Sequence, residues 1–267
     1  MKLSYLLALP LLLCAFQTPN STRDKALESL ANVERSFAAT SVKKGFHQAF
    51  VEHMADDGIV FAPQPTNGKR LHAEAPASKA ILNWYPAYAD ISASLDWGYT
   101  TGPYEFKANP EDAKPAGAGF YLSVWKKQPN GQWKVAVDMG NNFSPELIKE
   151  EVYQPAVATK GKTIKGAKAD LITKDVQKVQ PYYPETLIYS HGEYPVKYKN
   201  GSIEPASNVV YKTLGHDIST AADMAYTYGS YSQPTSKGEE TGNYLKVWKV
   251  FDGEWKLVAH NLVPDRK

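Results

Sequence analysis

The sequence predicts an α+β protein of two domains, each a layer of helices packed on a curved antiparallel or mixed sheet that leaves a cone-shaped cavity between the layers. Three observations carry this reading: an internal repeat, strand-turn-strand patterning within each copy, and amphipathic helical stretches ahead of the first. The repeat is the strongest of the three. ISASLDWGYTTGPY from Ile91 aligns without gaps with ISTAADMAYTYGSY from Ile218, matching Asp96 to Asp223, Tyr99 to Tyr226, Thr100 to Thr227, Gly102 to Gly229 and Tyr104 to Tyr231. GFYLSVWKKQPNGQWKVAV from Gly119 pairs in the same order with GNYLKVWKVFDGEWKLVA from Gly242, one residue shorter at the turn. Order, spacing and identity agree, so the chain is read as a duplication.

The elements follow in chain order. Leu27, Leu30, Val33, Glu34 and Phe37 recur at helical spacing from Asp24 onward, and a second amphipathic stretch runs from Gly45 to Met54 before the strand GIVFAP. Asp56 and Asp57 are expected to shape that helix-to-strand turn. YLSVWKK and QWKVAV flank Pro129-Asn130-Gly131, and YLKVWKV and EWKLVA flank Asp252-Gly253; both are hairpins by their aromatic and β-branched content. The second copy opens with only a short helical stretch, Leu171 to Val179, before PETLIYSHGEYP returns to strand. Between the copies, residues 155 to 170 are rich in Lys and Ala. Lys160, Lys162, Lys165 and Lys168 lack interleaved aromatics and read as a solvated linker. The expected boundaries are a leader over 1–17, a first domain over 24–145, a linker over 146–168 and a second domain with trimmed helices over 169–267.

Composition narrows the function classes. The 267 residues are 43% hydrophobic and 22% charged, with 30 basic against 28 acidic side chains. That balance argues against a disordered chain and against a dedicated nucleic-acid or polybasic membrane binder. Lys2, the apolar run Tyr5 to Phe16 and the polar TPNSTRDK describe a secretory signal peptide, so the protein is expected to be exported, to the periplasm or the extracellular space. At roughly 1.5 Å per residue that run is too short for a bilayer core about 30 Å thick. The only cysteine, Cys14, lies within it; Leu13 in place of a small residue argues against lipid anchoring there. Removal of the leader would leave no thiol for disulfide or metal chemistry. Asn20, Asn142 and Asn200 fit N-x-S/T.

The segment from VERSFAATSVKKGFHQAF through W-x-P at Trp84 and Pro86, LDWGYTTGPY and GFYLSVWKKQPNGQWKVAVDMG resembles the DUF4440 branch of the NTF2-like (SnoaL-like) superfamily. The resemblance covers about 120 residues of the first copy, and the strands of the second better than its opening helices. It implies two cone-shaped NTF2-like domains, α-helices against a strongly bent mixed sheet. Pairing through the outer sheet faces, within the chain or as a homodimer, is a further expectation by family analogy. It implies no single reaction, since the superfamily holds isomerases, cyclases, dehydratases, epoxide hydrolases and many non-enzymes.

Residue by residue, the ketosteroid-isomerase arrangement is missing from the first copy. Ala62 precedes Pro63 where a carboxylate is needed, Ser36 stands near the place of the helix tyrosine, and Gly119 to Trp125 contains no acid. The second copy offers Ser190, His191 and Glu193 there, without a convincing helix behind them. No catalytic set is therefore assigned, and the enzyme alternative is a cofactor-independent lyase, isomerase or cyclase using an Asp or His in one cone. Polar candidates in the first copy are Glu34, His53, Arg70, His72, Asp96 and Asp138. His53 is expected at a helix end, where the dipole favours it. Asp138 and its counterpart His260 differ between the copies; simple alternation puts Asp138 with Lys134 on the solvent side, and a bulge would reverse that.

Trp125, Trp248, Trp133, Trp255, Tyr99, Tyr226, Tyr121 and Tyr244 are expected in the core. The cavity candidates are Glu34, Trp84, Trp97, Tyr104, Asp138, Tyr231 and His260. They suit a small apolar or aromatic ligand with no cofactor. The six histidines (His47, His53, His72, His191, His216, His260) are scattered, so no metal site is expected. No GxSxG elbow, P-loop or helix-opening GxGxxG occurs. A scaffold with both cones filled and an apolar sheet face exposed is the non-ligand alternative.

Overall fold

The computed structural model describes residues 21–157, 167–178, 180–199, 208–236 and 238–265. The leader, Cys14, Asn20, Asn200, Lys160, Lys162 and Lys165 lie outside the described residues, as does the side chain of Lys168. The fold is α+β, with two mixed sheets.

In the first copy α1 (Thr22–Lys44) begins where the Ser21 hydroxyl accepts from the Asp24 amide, and ends at Gly45, whose φ of 91° breaks the helix. Its buried stripe, Leu27, Leu30, Ala31, Glu34, Phe37, Ala38 and Ser41, keeps the spacing of one helix face. After α2 (Phe46–His53) come β1 (Met54–Phe61), β2 (Pro65–Asn67), α3 (Gly68–Ala73), β3 (Ile81–Trp84), β4 (Tyr88–Ile91), β5 (Trp97–Lys107), β6 (Gly117–Lys127) and β7 (Trp133–Phe143). Asp56 and Asp57 lie within β1 rather than in a turn before it; the strand absorbs them in an irregularity between Met54 and Ile59, and both are exposed. The sheet runs β2-β1-β7-β6-β5-β4, with β1 parallel to β7 and β3 paired to the far half of β5. Part of the expected linker belongs to this domain: β8 (Gln154–Pro155) pairs parallel to β4, and Arg23 donates to the Ala156 carbonyl at 3.0 Å.

The second copy has α4 (Ala167–Asp175), which stops four residues before the expected end, then β9 (Tyr182–Tyr189), β10 (Val196–Lys197), β11 (Val210–Ile218), β12 (Met224–Thr235), β13 (Gly238–Phe251) and β14 (Glu254–Pro264). Its sheet order, β10-β9-β14-β13-β12-β11 with β9 parallel to β14, repeats that of the first. The β13–β14 turn has Asp252 at φ 52° and Gly253 at φ 83°, the two positive φ values of a type I′ hairpin.

Each sheet has a helix-facing and a sheet-facing side. Leu27, Leu30 and Phe37 of α1 pack on Trp84, Trp125 and Val135, and Leu171 of α4 packs on Trp248, Trp255 and Leu257. The opposite sides meet in one core, which joins Trp97, Tyr99, Leu122 and Val137 of one copy to Tyr189, Met224, Leu245 and Val247 of the other. Its contacts are reciprocal, as at a two-fold interface. Thr220 donates its amide to Asp96 at 3.2 Å, and Ala93 donates its amide to Asp223 at 2.8 Å. Lys126 meets Asp217 at 3.0 Å, and Lys249 meets Asp90 at 2.6 Å. Asn141 and Asn261 bond each other at 3.0 Å within this core.

Candidate functional site

The first cone is open. A cavity of about 630 Å³ lies between α1, α2 and the bent sheet. Phe37, Phe50 and Trp84 close its deep end, while Phe106, Gly117, Asn142 and Pro145 stand at the more exposed end. Its lining is apolar except around Ser123, Asp138, Tyr121, Tyr104 and Asn142.

Asp138 owes its place to a bulge. The β6–β7 register pairs Trp125 with Val135 but Val124 with Val137, so Ala136 is the extra residue. Val135 therefore faces the helices, Val137 faces the other sheet, and Asp138 turns into the cone opposite Ser123. The Ser123 hydroxyl donates to Asp138 at 2.7 Å. Burial pushes the Asp138 carboxyl up to about 6, against the pull of that hydrogen bond. Tyr121, buried on the same face, has a hydroxyl with no hydrogen bond of normal geometry.

Glu34 sits behind the aromatic wall. Trp84 Nε1 donates to one carboxyl oxygen at 2.5 Å; the Thr100 hydroxyl and Trp125 Nε1 (3.0 Å) donate to the other. Complete burial raises Glu34 from 4.5 to about 7, offset by these donors and reinforced by Asp138. It anchors the wall and does not itself line the cavity.

The other candidates separate by strand parity. Trp84 and Tyr104 are cross-strand partners and both line the cavity, where Tyr104 donates to Asn142. Trp97 does not: on β5 it shares parity with Tyr99 and Thr101, so its ring lies between the sheets, 5.4 Å from Tyr226. Tyr231 and His260 belong to the second cone. His53 ends α2, stacked on Phe37, and burial holds its pKa below the usual value. Arg70 and His72 lie on α3, and Asp96 serves the contact between copies.

The second cone repeats the frame, and among the described residues its interior is occupied by the buried side chains of Lys246, Tyr211, Tyr231, Tyr244 and His260. Asp175 takes the place of Glu34 and accepts from the hydroxyls of Thr227 (2.7 Å), Tyr244 (2.5 Å) and Thr213 (2.5 Å). Trp248 Nε1 bonds Thr227 at 2.8 Å, as Trp125 bonds Thr100 at 2.9 Å. Where the first copy has Ser123, the second has Lys246, fully buried with its ammonium 3.2 Å from the Asp175 carboxylate, 2.7 Å from its carbonyl and 3.4 Å from the Tyr211 ring centroid. Desolvation lowers the Lys246 pKa to about 8 even with Asp175 beside it. The matching β13–β14 bulge turns His260 inward, between Tyr182 (2.8 Å) and Tyr211 (3.3 Å), and burial, with Lys246 nearby, holds its pKa well below the usual value.

Sequence reasoning missed Ser123 and Lys246, although the signal was present: YLSVWK and YLKVWK differ at that position alone. Tyr121 and Tyr244 were expected only as core, and Asp175 not at all.

No family model matches the chain, and no curated protein matches it in sequence. Among solved structures it is similar to a protein with a cystatin-like fold from Nostoc punctiforme, with 18% identity and a TM-score of 0.34 over 46% of this chain and 92% of that one. It is similar to a ketosteroid isomerase-like protein from Erwinia carotovora atroseptica, with 14% identity and a TM-score of 0.33 over 44% and 96% of the two chains. A third is an NTF-2 like protein from Shewanella oneidensis, with 13% identity and a TM-score of 0.34 over 43% and 98%. These are likenesses of fold alone, and each spans less than half of this chain.

Proposed function

We propose that this is an exported tandem NTF2-like protein of the DUF4440 kind, whose first cone binds a small, largely apolar ligand and whose second cone is a filled partner that mimics a dimer mate. The observation that carries the reading is the contrast between the copies: one frame of Trp, Tyr, Thr and a helix carboxylate, open at about 630 Å³ in the first and occupied by Lys246 and its aromatic neighbours in the second. A pocket of that size, apolar with a few convergent polar groups, suits a ligand with a hydrophobic body and one polar end. The scaffold alternative calls for two filled cones, and the first is not filled.

The test is native mass spectrometry of protein purified gently from its own host, with a thermal-shift screen of metabolites. A co-purifying small molecule that a cavity-filling Ser123→Phe variant no longer carries supports the reading. An empty protein that no compound stabilises sinks it.

The enzyme alternative has one observation in its favour, the cavity-facing carboxyl of Asp138, whose proton affinity is raised into the range useful for proton transfer near neutrality. Turnover of a bound compound that Asp138→Asn abolishes without weakening binding would favour catalysis over binding alone.

A further inference from the structure

The two cones are matched position by position. Trp84 opposes Tyr104 as Tyr211 opposes Tyr231, and Ser123 opposes Asp138 as Lys246 opposes His260. Glu34 and Asp175 hold equivalent threonines, Thr100 and Thr227. In the second cone this frame encloses an ammonium: Lys246 lies 3.4 Å from the Tyr211 ring centroid, 4.6 Å from that of Tyr244 and 3.2 Å from the Asp175 carboxylate. The first cone keeps each of these partners as Trp84, Tyr121 and Glu34. It adds a second carboxyl, Asp138, where the other copy has a histidine, and it has Ser123 in place of the cation. Among the described residues no Lys, Arg or His lines the cavity.

We propose that the first cone binds an organic cation, an ammonium group on an apolar body of roughly aromatic-ring size, with the ammonium held by Asp138 and the faces of Trp84 and Tyr121. This rests on the reading of the cavity as a ligand site and names its chemistry. The buried Tyr121 hydroxyl, without a bond of normal geometry, is a further polar atom available to the ligand. Aromatic faces and a desolvated carboxylate attract an ammonium and offer an anion nothing. The titratable groups around Asp138 are Tyr104 on β5 and Tyr121 on β6 within the cone, with Glu34 on α1 behind the aromatic wall. Burial raises the proton affinity of Asp138 and of Glu34, with Asp138 adding a smaller push to Glu34, and a bound cation would release the proton that Asp138 holds below about pH 6.

The experiment is calorimetric titration with three probes that share one ring system: tryptamine, tryptophol and indole acetate. Tryptamine is expected to bind at least about tenfold tighter than tryptophol, with indole acetate weakest. Near pH 6 its binding should release protons, seen as a dependence of the heat on buffer ionisation, and Asp138→Asn should erase the preference. Equal binding of tryptophol and tryptamine overturns the inference while leaving the ligand site standing; no binding by any of the three overturns both. A ligand-free arm compares Ser123→Lys with Ser123→Met. If the frame lacks only its cation, the lysine variant has the higher Tm and no longer binds tryptamine. A lysine variant less stable than the methionine one overturns the inference.

Discussion

Glu34→Gln is the substitution whose consequence the structure specifies most fully. Glu34 is fully buried, and its folded-state pKa of about 7 stands above the ordinary 4.5. The folded protein therefore holds that proton more tightly than the unfolded chain does. The associated stability is fully present below about pH 4.5 and is lost as pH rises through about 7. A shift of that size corresponds to about 3 kcal/mol between the two limits. Glutamine reproduces the neutral carboxyl in shape. Its carbonyl can accept from Trp84 and its amide can donate to the Thr100 hydroxyl, to which Trp125 Nε1 also donates at 2.9 Å once its bond to the carboxyl is gone, but it does not titrate. Guanidinium unfolding of both proteins across this pH range should give similar stabilities at the acid end and an advantage of about 3 kcal/mol to the variant above pH 7. Because both proteins share every other titrating group, the difference isolates Glu34 and its coupling to Asp138. A wild-type-minus-variant difference that stays flat from acid to alkaline pH would refute the assignment of a neutral, desolvated carboxyl.

Other outcomes follow from the same coordinates of burial and pairing. Lys246→Met leaves Asp175 buried without its cation and should cost about 3–5 kcal/mol, much of it recovered by adding Asp175→Asn; a double-mutant cycle in urea measures the coupling. The reciprocal pairs between copies differ in burial, with Lys249 and Asp90 at 6% and 3% exposure and Lys126 and Asp217 at 45% and 43%. Lys249→Met should therefore cost about 2–3 kcal/mol, since Asp90 keeps Arg23, and Lys126→Met at most about 1 kcal/mol. Gly102→Ala would place a Cβ 2.0 Å from the Tyr85 carbonyl oxygen, so a loss of about 2–3 kcal/mol is expected by thermal melting. Gly229→Ala should behave alike, its Cβ falling 2.0 Å from the Lys212 carbonyl.

How much of this was legible in the sequence depends on whether a feature is local or arises from register. The duplication, α1 and α2 of the first copy and the Asp252-Gly253 turn were readable because periodicity and turn chemistry are written in consecutive residues, whereas the six-residue α3 is too short to show a period. Which face a strand residue takes depends on parity: plain alternation along the unbulged β5 sets Trp97 opposite Tyr104 and outside the cone, whereas one extra residue in β7 inverts parity and turns Asp138 inward without leaving a composition signal. Ala136 is such a residue, and nothing in KVAVDMG marks it. The edge strand β8, inside a segment read as linker, was hidden because two residues carry no period.

The comparison of Ser123 with Lys246 shows why the internal repeat carries more than the fold. Both copies inherit a carboxylate buried beneath a tryptophan and a threonine, an arrangement costly to either cone if the charge stands alone. The second copy meets the cost with its own lysine and so closes its cavity, and the trimmed helix α4 still suffices to cover what remains. The first copy keeps a longer helix layer, places a second carboxyl in the cone through the β7 bulge, and puts a serine where the cation would go. An open cavity costs stability through the contacts it leaves unmade, so a core selected only for stability would fill the first cone as well. An open aromatic cone holding Asp138 in one copy, beside a self-neutralised one in the other, supports the proposed binding site, whose missing charge would come from outside the chain.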